Sequence, residues 1–260
     1  MRITLIGSGN VATHLAAALK NAGHAIVQVF SRDMQNAALL AYHVKSEAID
    51  NLDAVNSETD LFIIAVKDDT IEDIAQKLAQ YGRLIVHTSG ATPLKILTDY
   101  TANSGVFYPL QTFSKTKELD FMTVPLCIEG EDEQITNQLK ELARTISNNV
   151  YQVNSDQRKI LHLAAVFACN FPNYLYYAAG KLLQQHSLDF NLLRPLILET
   201  AEKVQDHLPA DVQTGPAIRK DEKTMTAHLQ LLQDNPELVL LYTELSQLII
   251  KMDNGGYLGV

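Results

Sequence analysis

Residues 1–21 read MRITLIGSGNVATHLAAALKN, and this stretch decides the fold. Ile3–Ile6 is a short apolar run that stops at Gly7. Residues 10–22 then read as a helix with Ala, Leu and Val on its buried side. Between them lies Gly7-Ser8-Gly9-Asn10-Val11-Ala12, a G-x-G-x-x-A pattern that follows a strand and opens a helix. Each position has a physical job. Gly7 permits a tight turn, Gly9 leaves the backbone open to a pyrophosphate, and Ala12 lets the helix pack close to the strand. The free N–H groups and the positive end of the helix then hold the phosphates. The expected ligand of residues 7–12 is a dinucleotide.

Apolar runs recur downstream at 25–30, 60–66, 83–87, 106–107 and 124–128, with helical stretches at about 69–80, 92–99 and 132–147. Runs apolar on both faces signify strands covered on both sides, as in parallel sheets. The alternation predicts an α/β domain with a doubly wound, mostly parallel sheet over residues 1–153. Beyond that no strand is evident, and residues 154–260 are predicted to be an all-helical domain. Ser155 is suited to cap a helix running through His162 and Ala168. Between Ile160 and Gly180 this helix is apolar on nearly every side, which predicts a central, buried position. Pro172 predicts a kink or break, because it removes the backbone hydrogen bond to Ala168. Asn235-Pro236-Glu237 is a helix start. Leu238, Leu241, Tyr242, Leu245, Leu248, Ile249 and Met252 then form one apolar stripe, fit to pack on a helix of this chain or of a second copy.

The chain has 260 residues, of which 47% are hydrophobic, and this length suits one large or two modest domains. Such a chain buries enough surface to need no disulfide staple. The net charge is −9 and no Lys/Arg cluster stands out, which disfavours binding nucleic acid through its phosphates. Cys127 and Cys169 are far apart, with no C-x-x-C pattern. No histidine–carboxylate spacing suggests a metal, and no G-x-S-x-G nucleophile is present. The N-terminal run is too short for a signal peptide or a membrane span. The expectation is a soluble, cytoplasmic protein with a small-molecule substrate and neither membrane nor nucleic-acid partners.

The second strand ends in Ser31-Arg32-Asp33. An acid at the strand end would hydrogen-bond a ribose 2′-hydroxyl, as in NAD sites. Here Ser31 offers a hydroxyl and Arg32 a fixed charge with a fork of donors, which suits a 2′-phosphate. Asp33 comes too late to be the ribose acid and is read as the cap of the next helix. The cofactor expected is therefore NADP. Ligands of such sheets lie beyond the carboxyl ends of the strands. That brings in Ala65, Val66 and Lys67 after one strand, and Thr88 and Ser89 after another. His87 is read first as a structural histidine, and Asp68 or Asp69 as a helix cap. Tyr108 and Gln111 follow a further strand and are expected on the substrate side of the pocket.

His162 and Asn170 lie in apolar company on the central helix. Their backbones are separated by roughly 12 Å with about 80° of rotation, so they should not grip one atom. His162 is the candidate proton donor, since imidazole titrates near neutrality. Asn170 would hold a distal group or the nicotinamide amide. Residues 214–221 read TGPAIRKD. The simpler reading is a turn with Asp221 capping the helix that holds His228. The sharper one places Thr214 and Arg219 against an anionic substrate.

GSGNVA at 7–12, HTSG at 87–90, FYPLQTFS at 107–114, HLAAVFACN at 162–170 and TGPAIRKDEKTMTAHL at 214–229 together resemble one family. It pairs a Rossmann-like NADP-binding domain with an all-helical domain of unknown function. More remotely the layout is similar to deazaflavin-dependent NADP reductase, pyrroline-5-carboxylate reductase and 6-phosphogluconate dehydrogenase. Lys159 and His162 match the spacing of the last, but Leu163 stands where that pattern has Asn, so its mechanism does not carry over. The resemblance implies an NADP(H)-dependent oxidoreductase, with hydride moving to or from a small C=O or C=N group, or a deazaflavin, in a cleft between domains. It also implies a homodimer through the helical domain. The other reading is a sensor that binds NADP(H) and performs no chemistry.

Overall fold

A computed structural model describes residues 1–252. Eight strands form one sheet: β1 (Arg2–Ile6), β2 (Ala25–Phe30), β3 (Glu47–Ile49), β4 (Leu61–Ile64), β5 (Leu84–His87), β6 (Ser104–Pro109), β7 (Leu126–Gly130) and β8 (Val150–Gln152). Their order is β3-β2-β1-β4-β5-β6-β7-β8, and every neighbouring pair is parallel except β6 with β7. The winding reverses between β1 and β4, which is where such sheets open a crevice.

Helices α1 (Asn10–Asn21), α2 (Met34–Val44), α3 (Ile71–Leu78), α4 (Lys95–Thr98) and α5 (Glu133–Arg144) cover the sheet. Alternate residues of one strand feed two cores. Ile3 and Leu5 pack with Ala12, Leu15 and Leu19 of α1. Ile6, Phe62 and Ile64 pack with Ile71 and Leu78 of α3. This two-sided burial is why the strands read as unbroken apolar runs. Strands β3 and β8, three residues each, are too short to carry a periodic signal and are additions to the predicted series.

After β8 the described chain is helical: α6 (Ser155–Ala165), α7 (Phe171–Gln185), α8 (Arg194–Asp206), α9 (Glu222–Leu231) and α10 (Pro236–Met252). Secondary structure changes character near residue 153, but the first compact unit runs to Phe171 and the second begins at Pro172. Helix α6 stays with the sheet because Arg158 is buried against it and Leu161 packs on one of its cores.

Two local expectations are corrected, and the irregularity expected at Pro172 takes a particular form. The α6 cap is Asn154, whose side chain accepts from Gln157 N at 2.9 Å while Gln157 Oε1 accepts from Asn154 N at 3.1 Å. Ser155 is the first helical residue, and its hydroxyl turns to Glu129 instead. At Pro172 the helix does not stop. A π-helical turn spans Val166–Asn170, the Phe171 N–H reaches the Val166 carbonyl, and α7 follows directly. The wider turn accommodates the N–H that Pro172 lacks. Finally, the helix predicted to be central is largely exposed in the single chain. Ile160 is 68% and Phe167 63% accessible, and Leu163, Phe171, Tyr174 and Tyr177 are also exposed. Apolarity on every side signals that a helix needs cover but not which chain supplies it.

Candidate active site

The carboxyl ends of the central strands stay in register past the strands themselves. Gly7 N donates to Phe30 O at 2.8 Å, Ala65 N to Ile6 O at 2.8 Å, and Thr88 N to Ile64 O at 3.0 Å. The segments that follow β1, β2, β4, β5 and β6 therefore open on one side, around a cavity of about 930 Å³.

Gly7 has φ +123°, and a Cβ there would lie 2.2 Å from the Ala65 carbonyl oxygen. Only glycine lets the loop cross the end of β4 this closely. Gly9 caps α1 without a side-chain hydrogen bond, and a Cβ on it would meet nothing within 4 Å. Gly9, Asn10 and Val11 line the cavity, which puts the start of α1 at its edge, as a phosphate cradle requires. Ala12 is fully buried against the sheet. Asn10 and Val11 line the cavity, although the Asn10 side chain donates to Phe113 O at 2.9 Å and fastens the loop after β6. Ser8 Oγ donates to Ser31 Oγ at 3.0 Å, tying the glycine loop to the end of β2.

Arg32 is exposed, lines the cavity, and makes no hydrogen bond or ion pair among the described residues. Asp33 is engaged as the predicted cap, accepting from Gln35 N at 2.8 Å and Asn36 N at 3.3 Å. The end of β2 therefore presents a hydroxyl and an unpaired guanidinium, the donor set for a phosphate. Ala65, Val66, Lys67, Thr88 and Ser89 all line the same cavity. The Ser89 hydroxyl is engaged within its own turn, donating to Thr92 Oγ1 at 3.0 Å and accepting from Thr92 N at 2.9 Å. Neither Asp68 nor Asp69 caps a helix; the Thr70 hydroxyl, which donates to Lys67 O at 2.9 Å, closes that turn.

Tyr108, Gln111 and His162 line the cavity beside Ser89 and Gly90. Tyr108 Oη and His162 Nδ1 are 3.2 Å apart, and their rings meet edge to face. Gly90 is the floor of this pair, since a Cβ on it would come within 2.7 Å of His162 Nδ1 and 2.8 Å of Tyr108 Cζ. Burial pushes the Tyr108 phenol up to about 12; Cys127 adds to the rise and the Arg158 charge opposes it. His87 is fully buried, with Nδ1 accepting from Ser89 N at 3.1 Å. Burial, and next the Arg158 charge, lower its pKa to about 3, offset in part by the Pro93 carbonyl. It is a neutral structural histidine.

Asn170 and Lys159 do not line this cavity. Asn170 sits on the π-helical turn and is exposed in the single chain. Lys159 points out and pairs with Asp156 at 3.7 Å. Thr214 and Arg219 belong to the second unit, where both are exposed. There Asp221 caps α9 as predicted, accepting from Thr224 N at 3.0 Å, and His228 Nδ1 lies 2.8 Å from Tyr242 Oη. Among the described residues no group of His, Cys, Asp and Glu could hold a metal ion, and no helix is long and apolar enough to cross a membrane. Sequence reasoning missed Arg158. It is fully buried, paired with Glu129, and lies one turn before His162 on the same helix face.

Residues 2–90 match the family described as NADP oxidoreductase, coenzyme F420-dependent, and residues 124–249 match a domain of unknown function. A solved structure from Bacteroides fragilis, provisionally named an NADP oxidoreductase, is 44% identical over 96% of this chain and 98% of its own, with a TM-score of 0.91. The chain belongs to the NADP oxidoreductase family. Two further solved structures share the fold. An imine reductase from Myxococcus stipitatus in complex with NADP+ is 15% identical over 98% of this chain and 95% of its own, with a TM-score of 0.67. A pyrroline-5-carboxylate reductase from Coxiella burnetii is 15% identical over 97% of each chain, with a TM-score of 0.59. No curated protein matches the chain. Family membership agrees with the glycine loop and the free guanidinium of Arg32, and the cofactor of the family is NADP.

Proposed function

We propose that the protein reduces a small carbonyl or imine with NADPH, and that His162 is the proton donor. The observation that carries this reading is the position of the Tyr108–His162 pair on the wall of the same cavity as the glycine loop. The loop and the first turn of α1 fit a pyrophosphate, and Ser31 and Arg32 fit a 2′-phosphate. When bound there, the cofactor supplies a hydride. The protein's own share is the proton and its placement. Tyr108 keeps its proton at neutral pH and donates it in the hydrogen bond to His162 Nδ1. That leaves the proton of His162 on Nε2, the nitrogen with no partner among the described residues. Nε2 is thus the group to offer a proton to the substrate oxygen or nitrogen; as that proton leaves, the Tyr108 proton passes to Nδ1, so the ring stays neutral, and water then reprotonates the phenolate. We further propose that the exposed apolar face of α6 and α7 is covered by a second copy of the chain.

Calorimetric titration with NADPH, NADH, NADP+ and NAD+ tests the cofactor site. Arg32→Ala should weaken NADPH binding roughly ten- to a hundredfold, the loss of charged hydrogen bonds of about 1.5–3 kcal/mol, and leave NADH binding unchanged. A panel of carbonyls, cyclic imines and a deazaflavin, followed by NADPH absorbance, tests the chemistry. His162→Ala should cut turnover about 10²–10⁴-fold with NADPH affinity intact. Tight NADPH binding with no turnover across the panel would favour the sensor reading.

A further inference from the structure

Arg158 is an expensive residue to bury. A guanidinium and a carboxylate taken out of water each lose several kcal/mol of hydration, and a pair of hydrophobic residues of similar size often serves stability as well or better. Arg158 is nevertheless fully buried and ion-paired with Glu129. The rest of its fork is directed at one short turn. Nε donates to Ser89 O at 3.2 Å, and Nη2 donates to Thr92 O at 2.6 Å and to Ser155 Oγ at 3.3 Å. Ser155 closes the frame, since its Oγ donates to Glu129 Oε2 at 2.8 Å and accepts from Leu94 N at 2.9 Å. The turn from Ser89 to Thr92 is therefore held at both ends by the first turn of α6.

Between those ends lies Gly90, the residue whose backbone abuts the His162 and Tyr108 rings. His162 itself is four residues after Arg158 on α6, and Tyr108 is on β6. Three separate segments thus meet at the His–Tyr pair, and one guanidinium and its carboxylate bind two of them together. We propose that Arg158, with Glu129 and Ser155, is a positioning clamp that sets the Tyr108–His162 hydrogen bond through the Ser89–Thr92 turn. Arg158 is not a catalytic residue. It acts through the geometry of the pair, and its importance for turnover rests on the reading of His162 given above.

The test reads the pair directly, so it does not depend on knowing the substrate. In full-length protein labelled with ¹³C and ¹⁵N histidine, the ring signals of His162, assigned with His162→Gln, report its tautomer and the bond at Nδ1. The wild type should show a single Nε2–H tautomer with Nδ1 accepting. The double variant Arg158→Met/Glu129→Leu removes both charges of the pair and leaves neither uncompensated. It should shift those signals toward an averaged, solvent-like imidazole, while NADPH affinity by calorimetry stays at the wild-type value. Once a substrate is found, kcat should fall roughly 10–100-fold with KM for NADPH unchanged, the cost of a misplaced group. Ser155→Ala, which leaves the ion pair in place, should move the same signals in the same direction by less. His162 signals that match the wild type in every folded variant would overturn the clamp. Failure of the wild type to bind NADPH would instead strike the functional reading and leave the ring measurement standing.

Discussion

The sheet region and the helical region use similar apolar residues to different ends. In the sheet region the chain covers itself: Ile3, Leu5, Phe62 and Ile63 are fully buried, and the helix that follows each strand supplies the cover. In residues 155–252 only Arg158, Ala217 and Leu232 are buried among the described residues, while Phe167, Phe171 and Tyr174 face outward. An apolar strand in this topology carries its partner a few residues away in sequence. An apolar helix carries only a demand for one. The sharpest way to break the self-covered half is Gly7→Ala. The new methyl would press on the Ala65 carbonyl in a backbone conformation that L side chains avoid. Stability should drop by about 2–4 kcal/mol in denaturant titration, and NADPH binding should disappear by calorimetry. Near wild-type affinity would show that the loop can be rebuilt and does not depend on glycine.

The helical half is broken differently. Phe167 and Phe171 meet edge to face at 4.9 Å on the outside of the chain, next to Leu163 and Tyr174. A patch of this kind is ordinarily an interface. Phe167→Glu combined with Phe171→Glu should turn a sedimenting dimer into a monomer, with NADPH affinity of the glycine loop preserved. A wild type that already sediments as a monomer would mean that these rings live in water, and the contrast between the halves would have to be explained without a second chain.

The same contrast governs what could be read in advance. The glycine loop, the free Arg32 and the caps Asp33 and Asp221 were legible because each is a local pattern whose partner lies within a few residues. The doubly wound, mostly parallel sheet was legible in the strand–helix alternation. Arg158 was not legible, because an arginine in the first turn of a helix reads as solvated until Glu129 and the Ser89–Thr92 turn are brought to it from elsewhere in the chain. Asn170 was misjudged for the reverse reason: burial was inferred from its apolar neighbours, and the π-helical turn leaves it exposed in the single chain. The Tyr108–His162 pair was half legible. Both residues were singled out, but their contact spans 54 positions.

A buried histidine sharpens the comparison through pH. His87 in the folded sheet titrates near 3, against 6.5 when unfolded. Between these values the unfolded chain binds the proton and the folded one does not. Stability is therefore complete above about pH 6.5 and declines as pH falls toward 3, by on the order of a few kcal/mol. In His87→Asn, whose Oδ1 takes the place of Nδ1 as acceptor for the Ser89 N–H, the slope of unfolding free energy between pH 6.5 and 4.5 should flatten. Equal slopes in the two proteins would assign acid sensitivity to other groups.

The smallest effects compare one cap from each half. Asp33 takes the Gln35 and Asn36 N–H groups at the start of α2 in the sheet region, and Asp221 takes the Thr224 N–H at the start of α9. Asp33→Ala should cost about 1 kcal/mol at neutral pH. Hydrogen bonds from the Thr224 backbone and hydroxyl hold the Asp221 carboxyl below its usual range, so its contribution is present above the ordinary carboxylate pKa and is lost as pH falls through the lowered one. If the two compact units unfold separately, calorimetry on the monomeric Phe167→Glu/Phe171→Glu background should show two transitions. Asp33→Ala should move one and Asp221→Ala the other. The expectation is that the Asp221 transition comes first, because the unit that holds it buries only Ala217 and Leu232 among its described residues. One transition moved by both substitutions would show that the helical half borrows its stability from the sheet after all.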